Sequence, residues 1–265
     1  MIETTYRDGV ALLTMRHGKV NALDTALCRA LRGALEQAAD RAQAVVLTGT
    51  GTVFSAGVDL HQVIAGREAY LAGFLPELRR VFTSLATFEL PLVAAVNGHA
   101  IAGGYILAAA ADQILMAEGP GRAGVTELLV GVPFPAIALE ILRMRVGDAP
   151  ARPLITSAAT FQAGPALTCH LIDEAVPAGD LASRSLTAAR QLAALGPAFR
   201  LTKRQLRLLP LARAQELASL DADVDATWQA PPTLDRIRSY VASLKPTARR
   251  SGGRADRDAE RLSNK

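Results

Sequence analysis

The chain is poor in cysteine, in aromatic residues and in metal-binding patterns. Its two cysteines, Cys28 and Cys169, stand far apart and form no CxxC pair, which excludes a disulfide framework and a cysteine-built zinc site. The four histidines, His17, His61, His99 and His170, have no metal-ligand spacing, so no metal is expected. Aromatic residues are 5% of the chain, the arginines are scattered, and no nucleic-acid-binding module is visible; nucleic acid is not an expected partner. The apolar run Leu92–Ala111 is broken by Asn97, Gly98, His99, Gly103 and Gly104. It reads as a buried strand and a buried helix rather than a membrane span, so no membrane is expected. Met1–Asp8 has no signal-peptide pattern, and the expected location is the cytoplasm. Gly49-Thr50-Gly51 lacks the third glycine of a dinucleotide fingerprint, because Phe54 stands there. Val53 breaks the nucleophile-elbow pattern and leaves Ser55 as a turn residue.

What is present points to a folded α/β protein. Of 265 residues, 50% are hydrophobic and 20% charged, enough for a sizeable core. The net charge of +4 fits first a soluble protein that happens to be basic, and second a site for an anionic, phosphate-bearing ligand. Ile2–Arg7 and Val10–Met15 read as strands joined at Asp8-Gly9. Asp24 is the expected cap of a helix with apolar residues at Leu27, Leu31, Leu35 and Ala38. Ala44–Leu47 reads as a strand, followed by a loop to Gln62 and a helix from Glu68 to Thr87 that Pro76 kinks or restarts. Leu92–Val96, a helix over Gly103–Ala111, the strand Ile114–Ala117 and a helix over Ala136–Arg145 continue the alternation, which predicts largely parallel strands. Beyond residue 180 only helices are expected, over 180–195, 197–208, 211–220 and 232–244, with a mobile polar extension at the end.

Two stretches carry the chemistry. Phe54-Ser55-Ala56-Gly57-Val58-Asp59-Leu60 and Asn97-Gly98-His99-Ala100-Ile101-Ala102-Gly103-Gly104 each put glycine where a strand gives way to a loop or helix. Backbone N–H groups there can point at a ligand, and two of them converging on one carbonyl oxygen make an oxyanion hole. That arrangement suits chemistry on an acyl group.

These stretches, with Asn21-Ala22-Leu23 and Thr126-Glu127-Leu128-Leu129-Val130-Gly131, closely resemble the crotonase superfamily (enoyl-CoA hydratases and isomerases) over about residues 2–248. The resemblance implies a spiral of β-β-α turns over 1–195, a helical trimerisation region over 196–248, and a polar tail over 249–265. It implies an acyl-CoA thioester as substrate, no cofactor besides, and a homotrimer or dimer of trimers. The oxyanion donors fall on the N–H groups of Val58 and Gly103. Hydratases of this kind use two glutamates; one falls on Ile106, which cannot move a proton, and the other on Glu127. A single carboxylate suffices to shift a 3-enoyl double bond to the 2-position, and Gly131-Val132-Pro133-Phe134 also resembles the isomerases. Other readings stay open: a hydratase, lyase or hydrolase with a different second acid, Glu140 being one candidate though expected on a helix surface, or an acyl-CoA-binding protein without catalysis. The resemblance further suggests Ala56 beside the adenine, Lys19 and Lys245 near the CoA phosphates, and an acyl tunnel lined by Phe74, Leu75 and Phe134. For both lysines a plain solvated role fits as well.

Overall fold

The computed structural model describes residues 1–244. Lys245 and the polar tail lie outside the described residues. The chain opens with the hairpin β1 (Ile2–Arg7) and β2 (Val10–Met15). Asp8 and Gly9 both take positive φ, as a two-residue turn between twisted strands requires. Then come α1 (Thr25–Arg41), β3 (Ala44–Thr48), β4 (Val53–Ser55), α2 (Leu60–Ala86), β5 (Leu92–Val96), β6 (His99–Ile101), α3 (Gly103–Ala109), β7 (Gln113–Ala117) and β8 (Ala123–Gly124). After a 3-10 turn at Glu127–Val130 follow α4 (Ala136–Val146), α5 (Asp148–Ser157), β9 (Thr160–Phe161), α6 (Ala163–Thr168) and β10 (Glu174–Val176). The helices α7 (Leu181–Ala194), α8 (Gly196–Leu217), α9 (Asp221–Gln229) and α10 (Pro231–Ser243) end the described chain.

Two sheets organise these elements. One has the order β1-β2-β3-β5-β7-β10 and is parallel except for the opening hairpin; the other has the order β4-β6-β8-β9. From β3 to β8 each turn of the chain lays one strand in the first sheet and the next in the second (β3 then β4, β5 then β6, β7 then β8) and goes on through a helical segment, whereas β1 and β2 both join the first sheet before α1. This is the spiral of β-β-α turns that the sequence motifs imply. Side chains of the first sheet alternate between two cores with the two-residue period of a strand. Val45, Leu47, Ala94, Val96, Ile114 and Met116 face the main core, while Val46, Val93, Ala95 and Leu115 face a smaller one under α7.

Several boundaries differ from the sequence reading. The loop expected to run to Gln62 ends at Asp59, whose side chain caps α2. The break in α2 falls at Arg67 (φ 49°, ψ −136°) rather than at Pro76. The two helices expected over 197–208 and 211–220 are one helix, α8, with Pro210 inside it. The short strands of the second sheet, α5 and α6 carry too few residues for a periodic signal.

Buried charge fastens α8 to the core. Lys203 Nζ donates to Asp112 Oδ2 (2.6 Å) and to the Leu90 carbonyl (2.7 Å), and Arg207 donates to Asp112 Oδ1 (2.8 Å). Burial pulls Lys203 down to about 8 although Asp112 acts to hold the charge. Glu140 is also part of the interior, against expectation: it is fully buried and paired with Arg143 (2.7 Å) and Arg213 (2.8 Å), so it is a structural anchor between α4 and α8.

Candidate active site

The first glycine stretch leaves β4 as a tight loop clamped by the segment before α1. Leu23 N donates to Gly57 O (2.7 Å), and Asp59 N donates to Leu23 O (2.9 Å). These two bonds bracket Val58 and turn its own N–H away from Leu23. Gly57 has φ 82°, and a Cβ there would come within 2.7 Å of the Ile101 carbonyl, so both the conformation and the space call for glycine.

The second stretch leaves β6 through Ala102, which takes the strained angles φ 51°, ψ −130°. Its N–H donates to Gly124 O (2.8 Å), and its carbonyl accepts from Tyr105 N (2.8 Å) and Ile106 N (3.1 Å), which holds the strain in place. That turn starts α3 at Gly103, whose N–H is one of the orphan donors of a helix start. A Cβ on Gly104 would overlap the Ser55 carbonyl and approach Ser55 Cβ at 2.8 Å, so the two stretches are in direct contact. Among the described residues neither Val58 N–H nor Gly103 N–H donates to another protein group, and both residues line the same cavity.

That cavity has a volume of about 330 Å3. Its walls are mostly apolar, with Leu78 and Phe82 from α2, Val130 and Val132 beside the 3-10 turn, Ala138 from α4 and Trp228 from α9. Glu127, the first residue of the 3-10 turn, projects into this setting at 9% exposure. Its Oε2 is buried with no hydrogen-bond partner among the described residues. Burial pushes its carboxyl up to about 7, against the lowering effect of the Glu127 and Thr126 backbone. A carboxyl so placed is divided between acid and base forms near neutral pH, which suits proton transfer in both directions. Asp59 also lines the cavity, but its carboxylate is engaged by His61 N (3.0 Å), Gln62 N (3.1 Å) and Gln62 Nε2 (3.3 Å).

The structure thus gathers Val58, Gly103, Ala56 and Glu127 around one cavity. Ile106, where a hydratase of this type would carry its first glutamate, is fully buried in the main core and is not among the lining residues. The other residues expected to contact the ligand lie off the wall of this cavity or outside the described residues. Phe134 is half-buried against the core, and its neighbours Pro133 and Pro135 line the cavity instead. Phe74 and Leu75 are core residues of α2, Phe74 stacking on Tyr70 with ring centroids 5.3 Å apart. Lys19 is exposed and off the cavity wall, and Lys245 lies outside the described residues. The sequence reading missed the wall contributed by α9 and α10, namely Trp228, Tyr240 and Val241, with Leu244 after them. Trp228 is the chain's one tryptophan, and a lone large aromatic in an aromatic-poor helix was the available signal.

Known proteins resemble this chain in sequence and in fold. The family model for enoyl-CoA hydratase/isomerase matches residues 5–231. Human mitochondrial enoyl-CoA delta isomerase 1 is 29% identical over 229 residues, covering 84% of this chain and 75% of that protein. The 2,3-dehydroadipyl-CoA hydratase of Escherichia coli is 33% identical over 214 residues, covering 79% of this chain and 80% of that protein. The crystal structure of human mitochondrial delta3-delta2-enoyl-CoA isomerase superposes with a TM-score of 0.85 at 27% identity, over 92% of this chain and 98% of that one. With the glycine stretches, the spiral fold and the family match in agreement, the chain belongs to the enoyl-CoA hydratase/isomerase family of the crotonase superfamily.

Proposed function

We propose that this protein shifts the double bond of a 3-enoyl-CoA to the 2-position, with Glu127 as its single proton shuttle. The Glu127 carboxylate takes a proton from C2, and the electron pair moves onto the thioester oxygen as a dienolate. The N–H groups of Val58 and Gly103 stabilise that oxyanion, each worth roughly 3 kcal/mol in the transition state. Glu127, now protonated, returns the proton at C4, and the double bond ends between C2 and C3 with no atom gained or lost. The observation that carries this reading is the pairing of a desolvated Glu127, whose Oε2 has no partner among the described residues, with an apolar Ile106 sealed in the core. Two-glutamate hydration needs a carboxylate where that isoleucine stands.

Hydration remains a second reading, because the Escherichia coli relative is named a hydratase and His61 and Asp59 also line the cavity. Separate incubation with a 3-enoyl-CoA and a 2-enoyl-CoA distinguishes the readings. Conversion of the first without water addition to the second is the expected result. Hydration of the second supports the hydratase, and tight binding of several acyl-CoAs without turnover supports a non-catalytic binding protein. The proposal includes a homotrimer or dimer of trimers. The exposed Leu201, Leu206, Leu208 and Leu209 of α8 support self-association, which sedimentation tests directly.

A further inference from the structure

The starts of α1 and α2 are joined by one side chain that the reaction scheme does not use. Each helix is capped by an aspartate through Oδ1: Asp24 accepts from Leu27 N (2.7 Å), and Asp59 accepts from His61 N (3.0 Å) and Gln62 N (3.1 Å). Their remaining oxygens turn to the same donor. Gln62 Nε2 lies 3.0 Å from Asp24 Oδ2 and 3.3 Å from Asp59 Oδ2. Asp24 Oδ2 also meets His17 Nε2 at 2.7 Å. An amide NH2 has two hydrogens, one for each carboxylate, and separates two like charges that would otherwise repel. Burial acts to raise Asp24, but the bonds from Leu27 N, His17 and Gln62 outweigh it and hold its carboxyl below the ordinary value. The group is therefore an anion across the neutral range.

Each helix cap uses only Oδ1, which leaves both Oδ2 atoms to the Gln62 bridge. Asp24 directly follows Leu23, and Asp59 directly follows Val58. The backbone of Leu23 holds Gly57 O and Asp59 N on either side of Val58, and the bridge ties the same two strands of chain together one residue further on. Without the bridge, the two backbone bonds of Leu23 alone hold the peptides on either side of Val58. A hydrogen bond weakens steeply once its donor leaves the line to the acceptor, and an oxyanion donor acts by being aimed in advance.

We propose that Gln62 is a positioning residue that aims the Val58 N–H at the thioester oxygen by bridging Asp24 and Asp59. The inference rests on the oxyanion role proposed above for Val58. Gln62 does not line the cavity, so it acts through the loop rather than on the substrate.

The test uses the full chain as wild type, Gln62→Leu and Gln62→Lys. Turnover of a 3-enoyl-CoA gives kcat and KM. Binding of a saturated acyl-CoA thioester, compared with the matching thioether that lacks the carbonyl oxygen, reads the oxyanion contact without any reaction. Gln62→Leu is expected to lower kcat about tenfold with KM within about twofold, and to shrink the thioester preference by a similar factor. Gln62→Lys again offers donors to both carboxylates and is expected to restore both quantities to within about threefold. A Gln62→Leu protein with wild-type kcat per folded molecule and an unchanged thioester preference overturns this inference alone, even if it melts earlier. A wild-type protein that does not prefer thioester over thioether overturns the oxyanion reading and this inference with it.

Discussion

Replacing Glu127 by Gln is expected to lower turnover sharply and, at the same time, to change how stability depends on pH. The ordinary carboxyl value of 4.5 is pushed up to about 7 in the folded protein by burial. That gap corresponds to about 3 kcal/mol of free energy linked to one proton. The direction follows from which state holds the proton more tightly. Below pH 4.5 both folded and unfolded chains carry a neutral Glu127, and the site costs no charge burial. As pH rises, the unfolded chain ionises first while the folded chain keeps its proton, so the stability linked to this proton is lost progressively. Above about pH 7 the folded protein holds a buried carboxylate whose Oε2 has no partner among the described residues, and the loss is complete. Glutamine has nearly the same shape and cannot ionise. Urea unfolding of both proteins at pH 4.5, 6 and 8 is therefore expected to show the variant gaining on the wild type by about 3 kcal/mol across this range. The same substitution is expected to lower kcat by about 100- to 10,000-fold, and wild-type kcat/KM is expected to climb to a plateau above about pH 7. A stability difference that stays flat with pH would refute the desolvated carboxyl, and unchanged turnover would refute the proton shuttle.

Other substitutions test the frame around the site. Gly104→Ala puts a Cβ into the Ser55 carbonyl, and separating α3 from β4 is expected to cost about 3 kcal/mol or more, read as a lower midpoint in urea. Ala102→Gly removes the strain at φ 51° and is expected to raise stability by about 1 kcal/mol in thermal unfolding, whereas Ala102→Val is expected to lower it. Asp112→Ala leaves Lys203 and Arg207 buried without their counter-ion and is expected to cost about 3–5 kcal/mol, with kcat per folded molecule unchanged.

Much of the fold was legible because its signals are local. The Asp8-Gly9 turn, the Asp24 cap and the short apolar runs of β3, β5 and β7 each come from neighbouring residues. The second sheet was not legible, since β8 and β9 have two residues each and only partners far along the chain make them strands. Arg67 shows the same limit: Gly66 beside it weakens the helix, yet the positive φ falls on Arg67, while Pro76 carries the more obvious signal and stays inside the helix. Glu140 was misread as a surface residue because its partner Arg213 lies on α8, well beyond any helical repeat.

The sequence by itself determined the backbone chemistry of this protein. Glycines at 57, 103 and 104 permit a close approach of chain to chain, Glu127 supplies a proton-bearing group, and Ile106 withholds a second one; these are properties of residue type. Only the tertiary structure decided what those residues become. It desolvates Glu127 enough to bring its carboxyl to about 7, and it leaves the Val58 and Gly103 N–H groups without partners among the described residues. It also closes the cavity with Trp228 and Tyr240 from the end of the chain, and ties the Val58 loop to α1 through Gln62. The reason is physical: burial, unpaired polar atoms and donor direction depend on which groups meet in space, and residues far apart in the chain decide that here.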